Sequence, residues 1–172
     1  MGVCLRNHGS PDQEGVPYQS EIQCFEVVPE RLCAPCEQFR KRIKEIRKSM
    51  AISTNLIECK AVLFYVPIVS RAGTDIGAAL QELDKYKDKH IALVVLHHTF
   101  DRELIVPDSS RNVRRDKTIT VDCLFSEDEG LFKCHRNDEA IKKVADWLHK
   151  VKHGKQSSSG KKKERGRQKR QV

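Results

Sequence analysis

The sequence predicts a small α/β protein, a doubly wound and mainly parallel sheet between helix layers in the flavodoxin-like or TIR-like three-layer manner. Three observations predict it. Two runs, Ala61–Val66 and Ile91–Leu96, are continuously apolar, as strands covered on both faces must be. Segments with apolar residues at helical spacing alternate with them. Strands alternating with amphipathic helices give parallel sheets, because each right-handed crossover returns the chain to the same end.

The elements follow in order. Residues 1–20 are poor in apolar side chains and rich in Gly, Pro, Asn, Asp and Gln, a disordered leader. Cys24–Val28 is a short strand. In the helix after it, Leu32, Cys36, Phe39, Ile43, Ile46 and Met50 fall on one face, with Lys41, Lys44 and Lys48 elsewhere. Pro35 suits the first turn, where its missing N–H has no intrahelical partner. After the strand 61–66, Thr74 and Asp75 can cap a helix that buries Ile76, Ala79, Leu80 and Leu83. The strand 91–96 leads to a long loop. Thr118–Phe125 alternates, as expected near a sheet edge or with one wetter face. Asn137 is expected to cap a last helix burying Ile141, Val144, Ala145, Leu148 and Val151. One domain over 21–152 is implied, with a disordered basic tail over 153–172.

Charge separates the tail from the domain. The 172-residue chain has a formal charge of +8. Eight basic residues and one acid lie between 155 and 170, which leaves +1 on the rest. A uniformly basic nucleic-acid-coating domain is excluded. Lys161, Lys162, Lys163, Arg165, Arg167, Lys169 and Arg170 resemble a nuclear-import signal, and the same charge suits an importin, a nucleic acid or an anionic lipid. No aromatic residue is interleaved for base stacking.

No run of 18 apolar residues is present and the N-terminus lacks a secretory apolar core, so a cytoplasmic or nuclear location is expected. Gly2 and Cys4 invite a comparison with dual acylation, but Arg6 stands where the myristoylation pattern has Ser or Thr. The seven cysteines are an odd number spread along the chain and are expected to be mostly free thiols. Cys33-Ala-Pro-Cys36 resembles the redox motif of thioredoxin-like proteins. However, Pro29-Glu30-Arg31 separates it from a weak strand, and Cys36 falls on the apolar stripe of the helix. Cys59 and Cys134-His135 lack a second paired ligand motif, so no zinc site is expected. No cofactor is assigned.

Chemistry in such a sheet belongs outside the carboxyl ends of the strands. There Ser70, Arg71, Gly73 and Thr74 could hold a phosphate at a helix start, and Asp75 could either compete with it or serve as acid/base. His97, His98 and Glu127 lie at the other strand ends. Adjacent strand residues face opposite sides, so the two histidines do not share one metal, and one of them is expected to be buried and hydrogen-bonded.

Two resemblances reach this region. Phe64–Leu80, Val94–Asp101 and Val121–Phe125 look like an uncharacterised family of small vertebrate proteins expanded in fishes, over roughly residues 24–150, the length of one typical domain. That resemblance carries no known catalytic residues; together with the fold reading and the missing catalytic constellation it leads to the expectation of a non-enzymatic role through protein contacts in innate immune or interferon regulation. Gly73-Thr-Asp-Ile-Gly-Ala-Ala79 is similar to the helix start of nucleoside deoxyribosyltransferases and their N-glycoside-hydrolysing relatives, and in shape to TIR domains. Those families place a catalytic Glu there, and the nearest carboxylate is Asp75, one carbon shorter. Three readings result. One is an interaction protein, with a protein partner or a second copy of itself. Another is a nucleotide- or NAD-cleaving enzyme with Asp75 and His98 catalytic and Ser70, Arg71, Gly73, Thr74 and Glu127 binding. The last is nucleic-acid association through the tail.

Overall fold

The computed structural model describes residues 21–154. The tail candidates Lys161 to Arg170, together with Gly2 and Cys4, lie outside the described residues. Five strands run parallel: β1 (Ile22–Val27), β2 (Met50–Ile52), β3 (Ala61–Ile68), β4 (His90–His98) and β5 (Thr118–Ser126). A two-residue strand, β6 (Gly130–Leu131), pairs antiparallel with the end of β5. The order is β2-β1-β3-β4-β5-β6, so the doubly wound order 2-1-3-4-5 gains one short strand at its edge.

The two apolar runs become the central strands β3 and β4, in register from Ala61↔His90 to Ile68↔His97. Both faces of this pair are covered, which is why neither run alternates. On one face lie α1 (Cys33–Ile46) and α3 (His135–Lys152). Their stripes of Cys36, Phe39 and Ile43, and of Ile141, Val144 and Leu148, pack on Leu63, Tyr65, Val94 and Leu96. The Phe39 ring meets Tyr65 edge-on, with centroids 5.9 Å apart. On the other face α2 (Ala72–Glu82) and the turn after it set Ile76, Ala79 and Leu83 over Val62, Phe64, Leu93 and Val95. No helix of the described residues is long and apolar enough to cross a membrane.

Three details differ from the sequence reading. The first helix stops at Ile46, which is 47% exposed, because Arg47 turns to extended backbone; Met50 is buried instead as the first residue of β2. Asn137 does not cap α3. The N-cap is Cys134, and Asn137 is the third helical residue, fully buried against the sheet. Thr74 and Asp75 likewise lie inside α2, whose N-cap is Arg71.

Gly130 has φ of 73°, and a Cβ there would collide with the Gln38 side chain. The left-handed φ favours glycine, and a Cβ would have to displace the end of the Gln38 side chain. The close approach lets Gln38 Oε1 accept the Leu131 N–H at 2.6 Å, tying β6 to α1.

Candidate binding groove and strand-end loops

The loop after β3 is closed by Asp75. Its carboxylate reaches back across the helix start and accepts the N–H groups of Val69 and Ser70, each at 2.9 Å, and the Ser70 hydroxyl at 3.1 Å. The Ser70 and Val69 N–H groups hold its pKa below the usual carboxylate value. An anion at a loop-to-helix junction would use N–H donors of this kind, and here the chain's own carboxylate takes them. Arg71, Gly73 and Thr74 are exposed beside it, and a Cβ at Gly73 would touch nothing within 4 Å.

His98 ends β4 on the surface, with its ring edge-on to Phe100 at 5.3 Å and Phe125 at 5.5 Å. Glu127 is exposed on the turn between β5 and β6. These contacts hold His98 among aromatic rings, while Asp75 is engaged with the β3 loop.

His97 faces the other way and is buried. Its Nε2 lies 2.8 Å from Asp122 Oδ1. The same Asp122 oxygen accepts the Ser109 hydroxyl at 2.6 Å, and Oδ2 accepts the Ser109 N–H at 3.0 Å. Ser109 belongs to the long loop between β4 and β5, so this cluster pins that loop to the sheet. It contains Ser, His and Asp, yet it is not a nucleophilic triad. The carboxylate sits between the other two, and the hydroxyl donates to it instead of to the imidazole. Burial pushes the Asp122 carboxyl up, but hydrogen bonds from His97 and Ser109 outweigh it and hold the group below its ordinary value.

Two further buried polar groups were not legible as such in the sequence. Glu26, at the end of β1, pairs with Arg40 of α1 and accepts the Tyr65 hydroxyl at 3.1 Å. Asn137 bonds both edge groups of Leu124, as acceptor from its N–H and donor to its carbonyl, each at 2.8 Å, and donates to Phe132 O at 2.9 Å. The Leu124 carbonyl also accepts the Phe132 N–H at 3.1 Å, so the Asn137 amide continues the sheet just past the end of the β6 pairing.

The two cysteines of the Cys-x-Pro-Cys motif are free thiols. Cys33 is exposed, with Sγ 3.3 Å from the Glu30 carbonyl, while burial pushes the Cys36 thiol far up. A raised thiol pKa suppresses the thiolate that exchange chemistry needs.

A groove of about 870 Å³ lies along the outer edge of β5. Its floor is Thr120, Val121 and Asp122, one wall is the outer side of α3 from His135 to Asp146, and the other is the segment around Val106 and Asp108. Asp75, His98, Ser70, Arg71 and Glu127 are not among the residues lining it. β6 pairs with Phe125 and Ser126, and the Phe132 N–H after it donates to the Leu124 carbonyl at 3.1 Å; the edge is open before Leu124. The pairing Ile91 N–H to Lys117 O and Thr99 N–H to Phe125 O turns odd-numbered residues of β5 toward β4. Even-numbered residues therefore turn their N–H and C=O outward. Leu124 meets Asn137 there, but Thr120 and Asp122 have no strand beside them among the described residues. Compared with known proteins, the chain matches no family model, and no curated protein is significantly similar to it.

Proposed function

We propose that this chain is a non-enzymatic interaction protein that contacts a protein partner through the β5–α3 side of its sheet, in the regulation of innate immune responses. One observation carries the contact surface: the 870 Å³ groove is built from an open strand edge and a charged helix wall. The strand-end residues that would serve an enzyme support the same reading from the other side. Asp75 is bonded to the β3 loop, and His98 is packed on two phenylalanine rings. The immune setting rests on the family resemblance in Phe64–Leu80.

The test is cross-linking capture with the full chain from interferon-stimulated cells, beside thermal unfolding against a nucleotide and NAD panel. A saturable partner and no thermal shift are expected. Nucleotide stabilisation approaching about 2.7 kcal/mol at 100 times Kd, with turnover lost in Asp75→Asn, would move the assignment to the strand-end enzyme.

A further inference from the structure

We infer that His149 and His153 form a two-histidine site for a divalent transition-metal ion of the zinc, nickel or copper kind, with water in the remaining coordination positions. The two residues are four apart at the C-terminal end of α3, so both rings rise from one face of its last turn. Both are exposed, and their ring centroids lie 4.4 Å apart with the planes inclined at 53°. Two imidazole nitrogens held about 2.1 Å from one ion, on adjacent positions, set their ring centroids about 4.6–5.3 Å apart. The observed spacing falls just short of that range, and rotation about the exposed Cβ–Cγ bonds closes the difference. Histidines at i and i+4 on one helix face are an arrangement that binds zinc.

The ligand type selects the ion. Imidazole nitrogen suits zinc, copper and nickel, whereas magnesium and calcium take carboxylate and carbonyl oxygen. A ligating ring must be neutral. Partial desolvation, then the charges of His153, Arg47 and Lys152, hold the His149 imidazole below its ordinary value, against the pull of Asp146. At neutral pH that ring is mostly uncharged and has a lone pair to give. Asp146 lies one turn back on α3 but is engaged by Arg47 of α1 at 2.7 Å, so it is not counted as a third ligand. Lys150 and Lys152 of the same turn oppose a dication, while the negative end of the α3 dipole, at this turn, favours one.

The probe is Ni2+, which is paramagnetic and leaves thiols unoxidised, titrated into the isotope-labelled full chain. At one equivalent, amide broadening centred on residues 147–154 is expected. His149→Ala and His153→Ala, both exposed changes, should each weaken binding at least tenfold, because losing either ring turns a chelate into a single contact. His149→Gln, which keeps a polar side chain at the helix end, should weaken it as much, which separates loss of a ligand from fraying of the last turn. An excess of Mg2+ should leave the broadening in place. Broadening centred on Cys33, on Cys134 or on His135 and Glu139, which lie 3.6 Å apart, would overturn the site. So would unchanged affinity in either alanine variant, full binding by His149→Gln, or displacement of Ni2+ by Mg2+.

Discussion

His97 Nε2 and Asp122 Oδ1 lie 2.8 Å apart beneath the long loop that joins their strands, and Ser109 of that loop completes the cluster. The loop from 99 to 117 stands where a doubly wound sheet ordinarily has a crossover helix. Without an amphipathic face to bury over its length, it is held by this buried polar cluster. Asp122→Ala leaves an imidazole and a hydroxyl without their acceptor, at a cost of about 3 kcal/mol in denaturant unfolding. Ser109→Ala loses one hydroxyl donor and costs about 1 kcal/mol.

The same carboxylate gives a pH dependence. Its folded pKa is depressed, so its contribution is fully present above the unfolded value near pH 3.9 and is lost as pH falls through the lower folded value. Stability followed from pH 6 to pH 2.5 should decline less steeply in Asp122→Asn than in the unsubstituted chain.

Asn137 should be the most sensitive polar residue of α3. Asn137→Ala strands the Leu124 N–H in the core and removes two donors from buried carbonyls. A loss of about 2–4 kcal/mol is expected by chemical denaturation, because unmet buried groups carry their full desolvation cost. Exchange of the Leu124 amide with deuterium should accelerate together with those of β6.

Asp75→Ala should release the Val69–Ser70 loop without harming the core. The cost is on the order of 0.5–1 kcal/mol, the range for losing a first-turn side chain's hydrogen bonds to neighbouring backbone N–H groups. Faster exchange of the Ser70 amide is the local readout.

Thiol labelling should follow burial. Cys33 is exposed and Cys134 half-buried, so both should react with a maleimide in the folded chain. Cys24, with its thiol pushed up to about 12 by burial, should react only on unfolding, as should the buried Cys36 and Cys123. Mass spectrometry of labelled peptides separates the two groups.

The central sheet was legible because Ala61–Val66 and Ile91–Leu96 are apolar at every position, a pattern that only two-sided burial explains. Strand order was not, since 2-1-3-4-5 depends on which way each crossover turns and no single residue encodes it. β2 and β6 have three and two residues, too few for a period to register. His97 and His98 show how far parity reaches. Alternation correctly placed one inside and one outside, but Asp122 and Ser109, which satisfy the buried one, lie on a strand and a loop that only the folded chain brings together. Asn137 was misread because a helix-start Asn ordinarily caps, and its use as a substitute strand edge depends on the end of β5 behind it. The groove was invisible for the same reason. It is a space left where β6 stops short, and its lining residues are scattered from 106 to 146.

As proposed, this chain works through the edge of β5 and not through its strand-end loops. The most direct test is amide chemical-shift mapping of the full isotope-labelled chain, titrated in turn with its captured partner and with NAD. Perturbations confined to Thr120–Asp122 and the outer side of α3 with the partner, and none with NAD, are predicted. Saturable NAD shifts centred on Ser70–Asp75 and His98, with β5 silent toward the partner, would contradict the account.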